Sequence, residues 1–139
     1  MKTLAAHEVK VGDSIPPLDI PITPTLIIGG AIASRDYQDV HHDRDLARQR
    51  GAKDIFMNIL TTNGLVGRFV TDWAGPEAIL KTVAIRLGAP NYPGDTMRMT
   101  GSVKAKDAEE VTLEIHGKNA IGEHVSGTVT LKLPEAAKR

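Results

Sequence analysis

The spacing of apolar residues changes twice along the chain, and each change marks a new kind of element. Over residues 58–73, NILTTNGLVGRFVTDW, the positions Ile59, Thr62, Val66, Phe69, Val70 and Trp73 recur at helical spacing, with Leu60 and Leu65 widening the stripe. Asn63-Gly64 inside this run is a hairpin signal. The run is nonetheless too long for one ordinary strand, so the pattern predicts a mostly buried helix ended by Ala74-Gly75-Pro76. Gly64 and Gly67 each cost a helix about 1 kcal/mol relative to alanine, which leads us to expect them where the helix packs closely on a sheet. Beyond the helix the period becomes two. Residues 79–88, 97–107, 110–120 and 121–133 alternate as strands, with a Pro- and Gly-rich turn at 89–96. Before the helix, TLIIGGAIAS at 25–34 is apolar and β-branched and fits a strand, its two glycines marking a bulge or a close backbone approach. Residues 43–51, DRDLARQRG, fit a short helix with Asp43 as N-cap and Gly51 as its stop. Residues 1–24 hold four prolines and predict an irregular leader with room for a short extended piece; 134–139 form a tail.

Four consecutive strands joined by short turns must be largely antiparallel. One long apolar helix needs that sheet as its cover. The expected class is α+β, and a curved antiparallel sheet wrapped around a long central helix is the hot-dog architecture. An α+β sandwich of another kind is the alternative. A length of 139 residues fits one domain, placed at residues 25–133.

Composition narrows the function classes. Seventeen Lys and Arg balance seventeen Asp and Glu, so the basic surplus of a nucleic-acid binder is missing. Zero net charge also gives little colloidal repulsion, which favours an oligomer. There is no cysteine, hence no disulfide, thiolate metal site or thiol nucleophile. No segment approaches the roughly 18 apolar residues of a membrane span, and the N-terminus has no continuous apolar signal region, so a cytoplasmic location is expected.

Residues 35–45, RDYQDVHHDRD, pack four aspartates and two adjacent histidines into eleven positions. Three readings compete. As a metal site the stretch is poor, because His41 and His42 point to opposite faces in extended backbone; no metal is expected. As a solvated turn it is unremarkable, since Asp and His are common there. As an acid/base site it needs Asp36 and His41. Five residues apart in a loop, a carboxylate and an imidazole can face one another and hold a water, and histidine can both take and give a proton near neutral pH.

On these residues the chain resembles a known family. Asp36-Tyr37-Gln38-Asp39-Val40-His41-His42-Asp43 is similar to the motif D-x-N-P-[LIV]-H-x-[DE] of MaoC-like hot-dog proteins, the R-specific enoyl-CoA hydratases. Gln38-Asp39 stand where the family has Asn-Pro. Downstream, Arg86 to Thr96 resembles the family segment R-F-x-x-P-V-x-P-G-D-T. PGDT alone is a common turn; the two motifs in order are much more specific. A third family segment, I-A-H-G-M-L at the start of the long helix, aligns with Phe56-Met57-Asn58-Ile59-Leu60, Asn58 replacing the His and Ile59 the Gly. The run from Asp36 through Pro76 looks closer still to one subgroup, the small subunits of bacterial steroid side-chain hydratases of cholesterol or bile-acid breakdown.

The resemblance implies an enoyl-CoA hydratase that adds water to a trans-2-enoyl-CoA, with Asp36 and His41 as the catalytic pair. It places Asn58, Ile59, Asp43 and Tyr37 at the substrate, with a backbone N–H near Ile59 on the enolate oxygen. CoA enters only as part of the substrate, and no other cofactor is implied. It further implies a second hot-dog chain, either a larger MaoC-like subunit in a tetramer of two small and two large chains or a second copy of this chain. A hot-dog thioesterase, an acyl-carrier dehydratase and a non-catalytic stabilising subunit are the alternatives. Among other residues, His7 falls in the leader, His116 and His124 are expected to face solvent from strands, and Trp73 is expected in the core. Asn58 is either a helix N-cap or a pocket donor. Arg86 is expected in a structural ion pair rather than on a CoA phosphate.

Overall fold

The computed structural model describes residues 1–136. Five antiparallel strands form one sheet: β1 (Ser14–Pro21), β2 (Ile79–Leu87), β3 (Thr96–Asp107), β4 (Glu110–Lys118) and β5 (Glu123–Lys132). Their order across the sheet is β1-β3-β4-β5-β2. Three α-helices precede β2: α1 (Pro24–Ala33), α2 (Arg44–Gln49) and α3 (Ile59–Ala74). The sheet covers α3, as a hot-dog fold requires.

The long helix and the four late strands fall where the hydrophobic pattern puts them, within a few residues at each end. Asn58 caps α3, its side chain accepting a hydrogen bond from the Thr61 N–H. The helix buries Leu65, Val66, Phe69, Val70 and Ala74. These meet Met97, Met99, Val103, Val111, Leu113, Ile115, Val129 and Leu131 in one continuous core. The alternation of β4, with Val111, Leu113 and Ile115 inward, gives that sheet face its period of two.

Two expectations fail, each for a physical reason. Residues 25–34 form a helix, not a strand. Thr23 accepts a hydrogen bond from the Leu26 N–H and Pro24 occupies the first turn, a helix start that outweighs the β-branched composition. The strand beside β3 is β1, the extended piece for which the leader left room. Pro16 and Pro17 are tolerated there because β1 is an edge strand and its register slips between Ile15 and Leu18. The turn at 89–96 is no hairpin, because β2 pairs with β5 and not with β3. It carries the chain from one edge of the sheet toward the other.

The glycines of α3 do not make the close approach expected of them. A Cβ on Gly64 would meet nothing, and one on Gly67 would lie 3.9 Å from Leu80. The close approach occurs at Gly30 on α1, where a Cβ would run into the Thr61 side chain. That contact brings the end of α1 against the start of α3, and the candidate site lies there.

Candidate functional site

Asp36 is aimed by the end of α1. The Arg35 N–H bonds to the Ile32 carbonyl and the Asp36 N–H to the Ala31 carbonyl at 2.9 Å, while Arg35 adopts φ 57°. This is a Schellman closure with a non-glycine residue in the left-handed position. The chain then turns through a short 3-10 segment, Asp39–His41, that brings His41 back toward Asp36. His41 Nε2 lies 3.4 Å from Asp36 Oδ2. The histidine is 6% exposed, and its ring meets Phe56 edge-on with centroids 5.0 Å apart.

The hydrogen bonds fix the chemistry of the pair. His41 Nδ1 lies 2.6 Å from the Phe56 carbonyl oxygen. A carbonyl only accepts, so Nδ1 carries a proton and Nε2 is the nitrogen that can gain or lose one. Facing it is a carboxylate held ionised. The Asn58 amide, donating to Asp36 Oδ2 at 3.0 Å, holds the carboxyl below the usual range, helped by the Gln38 N–H and by His41. A neutral imidazole and a carboxylate would present two lone pairs to each other. At 3.4 Å the two are placed to share a water that donates to both.

The first turn of α3 adjoins this pair. Asn58 closes the Thr61 N–H, but the amides of Ile59 and Leu60 have no carbonyl one turn back to bind. Among the described residues neither makes a hydrogen bond, which leaves two donors at the positive end of a helix of 16 residues, suited to an anionic oxygen.

Of the residues singled out in the sequence, Asp36, His41 and Asn58 therefore meet, with Ile59 beside them. Asp43 lies apart in role: its Oδ1 accepts from the Leu46 N–H at 3.0 Å and caps α2. Tyr37 is 68% exposed and lines a shallow surface hollow with Gln38, Asp39, Val40, His42 and Arg50. His41 and His42 diverge, one buried and one exposed, and no group of three or more potential ligands is placed to hold a metal among the described residues. Arg86 is exposed and makes no ion pair among the described residues, contrary to expectation. Trp73 is half-buried against the core, and His116 sits between Glu114 and Glu123 on the outer sheet face.

Two participants went unnoticed in the sequence. Ser34 accepts from Asn58 Nδ2 at 3.0 Å, and nothing but its place beside Asp36 could have marked it. His124, expected to face solvent, is 2% exposed. The register of β4 and β5 slips here, Gly117 pairing with Val125 and Lys118 with Glu123, so His124 is the extra residue of a bulge and turns inward. Its Nδ1 donates to the Ala89 carbonyl and its Nε2 accepts from the Thr62 hydroxyl at 2.9 Å, one turn along α3 from Asn58. Burial pushes its pKa below the ordinary histidine value. The unfolded chain then binds the extra proton more readily, so stability contributed by neutral His124 is complete above about pH 6.5 and is lost as pH falls toward the folded value. Denaturant titrations at several pH values should show this slope, and His124→Gln should flatten it.

A profile of the MaoC-like domain matches residues 8–135. The chain belongs to the MaoC-like domain family. It is 48% identical to the 3-oxo-4,17-pregnadiene-20-carboxyl-CoA hydratase beta subunit of Mycobacterium tuberculosis, over 91% of this chain and 98% of that protein. This MaoC-like chain also superimposes on a chain of the ChsH1-ChsH2 complex from the same organism, with a TM-score of 0.88 and 49% identity, over 90% of this chain and 98% of that one. The R-hydratase PhaJ1 of Pseudomonas aeruginosa matches at TM-score 0.90 over 99% of this chain and 90% of its own; at 21% identity this is a likeness of fold. The MaoC-like assignment makes the architecture a hot-dog domain and replaces the looser α+β alternative.

Proposed function

We propose that this chain is the dyad-bearing subunit of an enoyl-CoA hydratase acting on the α,β-unsaturated CoA thioester of a steroid side chain. The observation that carries the reading is the Asp36–His41 pair at 3.4 Å beside the free amides of Ile59 and Leu60. The 48% identity to a hydratase subunit named for a pregnadiene carboxyl-CoA supports both the reaction and the substrate class.

The chemistry follows from that placement. A water donates to the Asp36 carboxylate and to His41 Nε2. As its oxygen bonds to C3 of the enoyl group, the dyad takes one proton and electron density moves to the thioester oxygen. The amides at the start of α3 stabilise that enolate. The dyad then returns the proton to C2 on the same face, and one water has been added with the thioester intact. Asp36 must be ionised for this, which the Asn58 amide favours.

No metal or redox cofactor takes part in these steps, and CoA belongs to the substrate. We place the enzyme in the cytoplasm; no helix among the described residues is long and apolar enough to cross a membrane. Its partner is a second hot-dog chain. The relative's designation as a beta subunit and the two-component complex favour a larger MaoC-like partner, with a second copy of this chain as the fallback.

Product analysis tests the reaction. An enoyl-CoA with a steroid side chain, incubated with the copurified complex, should gain the mass of one water with no release of free thiol. Free CoA without a hydrated thioester would instead make the chain a thioesterase, with water aimed at the carbonyl carbon.

A further inference from the structure

We infer that Asn58 is a positioning residue that fixes the Asp36 carboxylate against His41 and locks it to the start of α3, and that it makes no contact with substrate. The inference rests on the hydratase reading for its kinetic consequences, but its geometry stands alone.

Every hydrogen-bonding position of the Asn58 side chain is engaged. Its Nδ2 donates to Asp36 Oδ2 and to Ser34 Oγ, each at 3.0 Å. Its Oδ1 accepts from the Thr61 N–H and the Thr61 hydroxyl. The partners settle which atom is which, since a backbone N–H only donates and an ionised carboxylate only accepts. A primary amide has two donor hydrogens, and both are used. Asn58 is also 2% exposed, so a substrate reaches little of it.

The surroundings fix the amide from both sides. Ser34 donates to the Gly30 carbonyl at 2.7 Å, which leaves its oxygen free to accept from Asn58. Gly30 lacks the Cβ that would displace the Thr61 side chain, so Thr61 can reach Oδ1. One side chain therefore ties the end of α1, the start of α3 and the acid/base pair into one unit. The same residue caps α3, whose first turn adjoins the pair. Helix orientation and carboxylate orientation are coupled through it.

Asp36 faces few other groups. His41 is the titratable side chain in ion-pair range; from α1 comes Ser34 through Asn58, from the following turn the Gln38 N–H, and from α3 Asn58 itself. The Asn58 bond is the largest influence favouring the ionised form.

Two substitutions separate cap from clamp. Serine and aspartate are both good N-caps, so Asn58→Ser and Asn58→Asp keep a partner for the Thr61 N–H. Neither supplies the amide hydrogens. Asn58→Ser should lower kcat about 10²-fold, the scale of a small misplacement of a reacting group, with KM little changed. Its acid limb should move to higher pH. Asn58→Asp should move that limb further, because it sets a second carboxylate beside Asp36 and the two cannot both ionise. Carbon-13 NMR titration of the Asp36 carboxyl in the full chain gives a readout independent of activity, and it should rise toward the ordinary range in both variants. If the substitutions raise KM and leave kcat unchanged, or if both variants keep wild-type kcat and an unmoved Asp36 titration, Asn58 is a substrate contact or a simple cap and the inference falls. If wild-type enzyme fails to hydrate while the NMR shifts occur, the hydratase reading falls and the clamp stands.

Discussion

Asp36→Asn should lower hydration turnover by about 10²–10⁴-fold, the usual contribution of a positioned acid or base, while leaving the melting temperature close to wild type. The carboxylate side chain is about one-fifth exposed, and the substitution keeps its shape. What it removes is the charge that faces His41 Nε2 and one of the two acceptors for the attacking water. It also places an amide where Asn58 donates, so the new side chain must turn its oxygen toward Asn58. His41→Ala should cost as much activity but also some stability. Its Nδ1–H serves the Phe56 carbonyl and its ring packs on the Phe56 ring in a buried position. Losing a buried hydrogen bond costs about 1–3 kcal/mol, so a drop of a few degrees is expected for His41→Ala and not for Asp36→Asn. Turnover of the purified complex beside thermal melts of the same samples checks both. Near-wild-type turnover in Asp36→Asn would remove the dyad from the mechanism.

The approach of His41 to Asp36 has a local signal, two residues five apart in a loop dense in ionisable groups, but the residues alone left a solvated turn open and the family motif singled the pair out. The long helix was legible through its stripe of Ile59, Thr62, Val66, Phe69, Val70 and Trp73, widened by Leu60 and Leu65, although Ile59 and Leu60 at its start are left half-exposed. Three kinds of feature were not. Residues 25–34 carry apolar side chains all round, so no period distinguishes helix from strand; only Thr23-Pro24 held the answer. The pairing of β1 with β3 joins positions about eighty residues apart, and its prolines argued against a strand until the edge position excused them. His124 turned inward through a one-residue slip, and a slip reverses facing without changing composition. The clamp on Asp36 is the same kind of case. Ser34, Asn58 and Thr61 are unremarkable residues whose meaning comes from the meeting of α1 with α3.

A monomer of this chain should have no hydratase activity. Both edges of the sheet are open in a single copy, and the β2 edge carries exposed Ile79, Leu80 and Leu87. An apolar, unpaired edge strand is a template for another chain, and soluble proteins pair or blunt such edges. A second apolar surface lies at the site itself. Ile59 and Leu60, on the first turn of α3, are each 49% exposed, and Ile32 on α1 is more exposed still. The dyad thus sits beside an uncovered apolar wall. Ile59 and Leu60 expose side chains on the same turn whose amides are to bind the enolate, so water that wets the wall also competes for the donors. A neighbouring hot-dog chain covering this region would exclude that water and strengthen every charge-directed contact. Zero net charge opposes association little. Sedimentation of the isolated chain over a range of concentrations, with activity measured in the same samples, decides the matter. Turnover should track the oligomer, or appear only when a larger hot-dog partner is added. Full turnover in a monomeric species would show that one chain completes the pocket, and the shared-site arrangement would have to be abandoned.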